Sequence, residues 1–279
     1  MKLSGRISFG ILVTLLFISS CAPTEDTDRQ SISHRLHSSH VGDEFVITIH
    51  LPQSYDTSEQ VYPVLVVLDG DKSSGMARDI TDWLAWSGEI PEQIVVVISY
   101  GASLEEWWNK RSRDLTPTMD STKLWGEFPL AGGAGAFQSF IRQELIPFVD
   151  TNYRTNADRT LAGLSFGGLF GIYVLFSEPS LFHRYIVANP ALAWDDERIL
   201  EYESQYRSKH AALDAVVFTA VGGLDEPAIL EPWERFNHLI EAREYEGLKW
   251  TAHQFEGESH VSCWPAAFTR GLRTVFAKP

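Results

Sequence analysis

The stretch Thr160-Leu161-Ala162-Gly163-Leu164-Ser165-Phe166-Gly167-Gly168-Leu169-Phe170 decides how the chain is read. Residues 160–164 have the character of a short strand and residues 168–176 that of an apolar helix, so Ser165 falls on the turn between them. So sharp a strand-to-helix turn holds its central residue in a strained backbone. The flanking glycines are needed because side chains there would strike the neighbouring strand or helix. Ser165 is thereby exposed at the head of a helix. The amide of Phe166 opens onto the same space, and the positive end of the helix adds to its power to stabilise an oxyanion.

Working outward, residues 44–51 alternate Phe45, Ile47 and Ile49 against polar neighbours and read as a strand with one solvated face. Residues 61–68 and 94–100 are nearly continuous aliphatic runs, which means strands buried on both faces in a largely parallel sheet. A helix is expected over 76–86, with Ile80, Trp83 and Leu84 at helical spacing, and another through Phe137, Phe140, Ile141 and Leu145, stopped by Pro147. Further strands are expected at 185–188, 216–220 and 250–255, with helices around 233–243 and 265–276. This is βαβ alternation around one mixed, mostly parallel sheet with helices on both faces, an α/β fold whose pocket opens at the carboxyl ends of the parallel strands.

A nucleophile at Ser165 needs a base. His260, in Phe255-Glu256-Gly257-Glu258-Ser259-His260, follows the last expected strand and precedes the last helix, on a loop that can reach the serine. His183, His238 and His253 lie in helical or strand contexts, where a structural histidine is the common outcome. The carboxylate that orients the imidazole is expected after strand 216–220, at Asp225 or Glu226, with Asp225 preferred. Cys263 follows closely but has no base of its own and reads as a buried spectator. No metal or other cofactor is required: the chain has nine histidines but no H-E-x-x-H helix.

The N-terminus carries Lys2 and Arg6 ahead of an apolar run from Ile7 to Ile18, shorter than the roughly 20 residues of a membrane span, and so reads as a signal peptide over residues 1–20. Ile18-Ser19-Ser20-Cys21 resembles the bacterial lipobox, which implies a lipidated Cys21 as the mature first residue. Ala22, rather than Asp, then points to the outer membrane of the cell envelope, facing the periplasm. Residues 21–39 are polar and read as a lipidated tether, and residues 40–279 as one catalytic domain. The formal charge of −14 becomes about −16 once Lys2 and Arg6 leave, which excludes nucleic acid as a natural partner. With Cys21 used as anchor, Cys263 remains alone and no disulfide is expected.

Several separated motifs now stand in one order: Leu68-Asp69-Gly70-Asp71, Arg113-Asp114-Leu115-Thr116-Pro117-Thr118, Ala157-Asp158-Arg159 ahead of the Ser165 turn, and Gly257-Glu258-Ser259-His260. From about residue 40 onward the chain resembles the esterase family of the α/β-hydrolase superfamily that includes esterase D-like enzymes and periplasmic hydrolases of trilactone siderophores. The resemblance implies a serine carboxylic-ester hydrolase working through an acyl-enzyme, with Ser165 as nucleophile, His260 as base and Asp225 as acid. It implies a second oxyanion amide from Gly70 or Asp71. The family commonly has Ser-Pro-Ser-x-Trp-Trp where this chain has Asn189-Pro190-Ala191-Leu192-Ala193-Trp194, so the pocket wall differs here.

The substrate is expected to be a small-molecule ester, a siderophore or an aromatic ester. Residues 107–125 hold three tryptophans with Arg111 and Arg113 and suit a cap in which Arg111, Arg113, Trp125 and Trp194 meet a flat, anionic acyl group. The plainer reading has Arg113 pairing with Asp114 and the tryptophans only packing. A second class of function is a lipid-anchored, non-catalytic protein that uses the same pocket to bind a ligand. The sequence does not fix the oligomeric state.

Overall fold

The computed structural model describes residues 31–277. The expected signal peptide and the expected anchor Cys21 lie outside the described residues. Eight strands, β1 (Ser31–Ser38), β2 (Asp43–His50), β3 (Tyr62–Val67), β4 (Ile94–Ser99), β5 (Thr155–Leu164), β6 (Arg184–Ala188), β7 (Ala212–Gly222) and β8 (Glu246–Phe255), form one sheet in the order β1-β2-β4-β3-β5-β6-β7-β8. β1 and β2 run antiparallel, as do β2 and β4, and every later pair is parallel. This is the mixed, mostly parallel sheet expected from the aliphatic runs and the α/β-hydrolase arrangement that the family resemblance implies.

Strand alternation divides the core in two. In β4, Ile94, Val96 and Ile98 face one side with Leu115 of α2 (Leu104–Leu115), Phe137 of α3 (Ala134–Phe140), Phe170 of α5 (Phe166–Ser177) and Trp233 of α8 (Pro227–Arg243). Val95 and Val97 face the other, with Leu84 of α1 (Gly70–Trp86) and Phe268 of α9 (Cys263–Val275). A period of two that is apolar on both faces is what demands a helical layer on each side. α5 is buried from Phe166 to Phe176, with apolar side chains all round, so it cannot lie at the surface.

Three expectations are corrected. Residues 31–38, read as tether, are edge strand β1: Ser31 pairs with His50 and Ser38 with Asp43, so the folded domain begins at least nine residues before residue 40. Its polar residues alternate with Ile32, His34 and Leu36, whose inward half-burial the composition concealed. Pro147 does not stop its helix. The chain passes from α3 through a π turn, Ile141–Leu145, into α4 (Ile146–Asn152), and the wider turn carries it past a residue that lacks an N–H. Residues 107–115, read as part of a cap, belong to helix α2, started by a capping box in which Ser103 and Glu106 satisfy each other's backbone. Two further helices, α6 (Trp194–Glu197) and α7 (Ile199–Arg207), lead back to β7.

Candidate active site

The turn at the end of β5 has the strain its sequence implied. Ser165 has φ 62° and ψ −116°, outside the ordinary regions for a residue with a side chain, and is fixed there by its own N–H on the Ala188 carbonyl and its carbonyl under the Leu169 amide. A Cβ on Gly163 would stand 2.5 Å from the Gly167 backbone, and one on Gly168 2.9 Å from the Ala188 carbonyl. Those two glycines permit the crossing. Gly167, in contrast, would make only ordinary contacts at 3.5 Å and is not forced in the same way. Phe166 is the first residue of α5, where an amide has no helical acceptor.

His260 and Asp225 arrive from the ends of β8 and β7. The His260 Nδ1 lies 2.7 Å from Asp225 Oδ2, with the carboxylate almost wholly shielded. This leaves Nε2 for proton traffic with a substrate or nucleophile. Glu226, the alternative at the sequence level, turns instead to the cleft rim and accepts a hydrogen bond from Trp125 Nε1 at 2.8 Å. Two features unread in the sequence hold the histidine and acid loops together. Buried Asn189, at the end of β6, donates through Nδ2 to the His260 carbonyl at 2.6 Å and accepts the Gly222 N–H at 2.9 Å. Gly222 allows the His260 loop to lie against β7, since a Cβ there would stand 2.5 Å from the Glu258 carbonyl. The only sequence signal for Asn189 was the altered Asn-Pro-Ala stretch.

Ser165, His260 and Asp225 all line one cavity of about 350 Å³, together with Trp108, Arg111, Trp125, Phe128, Phe166 and Glu226. The arginine expectation is corrected. Arg111 does reach this wall, but its guanidinium is committed to a buried bidentate pair with Asp69, at 2.7 and 2.9 Å, and to the Leu164 carbonyl at 2.9 Å. It lies 5.1 Å from the centre of the Phe166 ring and 5.2 Å from that of Trp107. Such a pair is satisfied internally, and breaking one partner costs several kcal/mol. Arg113 is not in the wall. It pairs with Asp43 and with Asp114, whose carboxyl burial pushes up to about 6 despite the neighbouring guanidinium.

Gly70 and Asp71 form the first turn of α1 and are not among the residues lining the cavity. The Asp71 carboxylate accepts the Tyr100 and Gly101 amides and so ties α1 to the end of β4. Trp125 lines the cavity as expected. Trp194 stands behind it, buried, stacked 6.4 Å from the Trp125 ring and donating to the Thr118 carbonyl. Cys263 is buried and its thiol is pushed up to about 12 by desolvation, the state of an inert side chain. Among the described residues, no group of three or more His, Cys, Asp or Glu side chains is arranged to hold a metal ion.

A strained serine at a helix head, an imidazole held by a shielded carboxylate and an aromatic cleft are the parts needed for acyl transfer. The family described as "Putative esterase" matches residues 38–275. The ferri-bacillibactin esterase BesA of Bacillus subtilis (strain 168) is 30% identical over 233 residues, 76% of this chain and 78% of that protein. Among solved structures, an IroE-like serine hydrolase from Shewanella oneidensis superposes with a TM-score of 0.79 at 26% identity, covering 88% of this chain and 80% of its own. The siderophore hydrolase EstA from Aspergillus nidulans gives a TM-score of 0.78 at 20% identity, over 96% and 97% of the two chains. The chain therefore belongs to this esterase family, as a serine hydrolase of ester bonds on the α/β-hydrolase fold.

Proposed function

We propose that Ser165, His260 and Asp225 are the catalytic residues and that the ester they open is part of a siderophore. Ser165 Oγ attacks the ester carbonyl and passes its proton to His260 Nε2, while Asp225 holds the opposite nitrogen and supports the imidazolium. The tetrahedral oxyanion turns to the Phe166 amide at the positive end of α5. The same proton leaves with the alcohol, and water repeats the sequence on the acyl-enzyme. The observation that carries this reading is the 2.7 Å contact of His260 with Asp225 in the cavity that also holds Ser165.

The siderophore assignment draws support from the name of the Bacillus subtilis relative and from the aromatic cleft formed by Trp108, Trp125, Phe128 and Phe166. In this reading the enzyme is held in the cell envelope by lipid on Cys21, at the outer membrane and facing the periplasm. Purified protein incubated with a trilactone siderophore, iron-free and iron-loaded, is expected to release ring-opened acid detectable by mass spectrometry, and Ser165 is expected to take up one fluorophosphonate. In Ser165→Ala, turnover should fall by several orders of magnitude while binding is largely kept. Labelling with no attack on any siderophore ester would move the substrate elsewhere. Neither labelling nor turnover in an intact fold would favour a non-catalytic ligand binder.

A further inference from the structure

We infer that Glu226 determines specificity by charge, so that the cleft accepts an ester with an uncharged acyl group in preference to an anionic one. The inference rests on the reading of this cleft as the hydrolytic site. Four ionisable side chains line the cavity: Arg111, Asp225, Glu226 and His260. The Arg111 charge is cancelled by the Asp69 carboxylate at 2.7 Å. Asp225 faces His260, and the pair becomes neutral as a whole when the imidazole takes the serine proton. Among the described residues Glu226 has no such counter-charge. Its partner is the neutral indole N–H of Trp125, which holds the carboxylate at the rim beside the aromatic wall.

Glu226 is exposed at the rim beside the aromatic wall, so a second negative charge on the acyl group is felt across the cleft with the moderate screening of a protein surface. At a separation of several ångströms near a protein surface, one such repulsion changes a rate by about tenfold, and salt weakens it.

The test compares mono-4-nitrophenyl terephthalate with 4-nitrophenyl 4-carbamoylbenzoate, which share shape and leaving group and differ in charge. The parent is expected to prefer the carbamoyl ester in kcat/KM, with a gap that narrows as ionic strength rises. Glu226→Gln keeps an oxygen acceptor for Trp125 and loses the charge, and should shrink the ratio of the two kcat/KM values by about tenfold. Trp125→Phe, which breaks the hydrogen bond but keeps the charge, should leave most of the ratio in place. An unchanged ratio in Glu226→Gln, or an equal collapse in Trp125→Phe, overturns the inference. If the parent turns over neither ester, the hydrolytic reading fails and the charge filter falls with it.

Discussion

Asp225 and Glu226 are neighbours in the chain with opposite surroundings, one shielded against His260 and the other at the rim against Trp125. Replacing Asp225 by Asn should therefore lower kcat on an uncharged ester by a thousandfold or more, because the amide cannot support the charged imidazole or fix its tautomer. Glu226→Gln should have a far smaller effect on the same ester, and steady-state kinetics at saturating substrate compare the two. Reversed effects would transfer the role to Glu226. The meeting of Ser165, His260 and Asp225 in one cavity was legible because each sits just after a strand, where chain order alone predicts which loops converge. Arg111 was not, because its partner Asp69 is 42 residues away and no local pattern says that a guanidinium beside tryptophans is already satisfied. Asn189 was hidden for the same reason, since its two partners belong to other strands' loops.

At the level of elements, the aliphatic strands and α5 were legible from composition alone, whereas β1 and α2 were masked by polar residues on their exposed faces. The junction of β1, β2 and α1 carries a testable consequence. His50, buried at the end of β2, meets Ser31 Oγ of β1 at 2.8 Å and Ser74 Oγ of α1 at 3.0 Å. Desolvation, aided by the Arg78 charge, lowers its pKa from 6.5 to about 4. Between those values the unfolded chain binds a proton that the folded chain refuses. The stability contributed is thus fully present above pH 6.5 and is lost as pH falls towards 4, by about 2 kcal/mol between pH 7.5 and 5. Urea unfolding of His50→Gln should show a shallower loss over that interval than the parent. Equal pH slopes in the two proteins would remove His50 from the account.

The whole molecule is acidic, with a formal charge of −14, and among the described residues no helix is long and apolar enough to cross a membrane. Attachment to the envelope, in the proposed reading, rests on Cys21. Mass spectrometry of the mature protein should find an acylated Cys21 as first residue, and a free Ala22 terminus would overturn the anchor. The Arg111 clasp, meanwhile, bears on when this chain becomes an enzyme. It joins the turn after β3, the helix α2 and the carbonyl of Leu164, the residue immediately before Ser165. Those three segments are distant in the chain and meet only when the sheet and its covering helices are in place. A chain still folding therefore presents an ordinary serine hydroxyl, and its hydrolytic power arrives with the closing of long-range contacts, so that newly made molecules stay chemically silent until they are native.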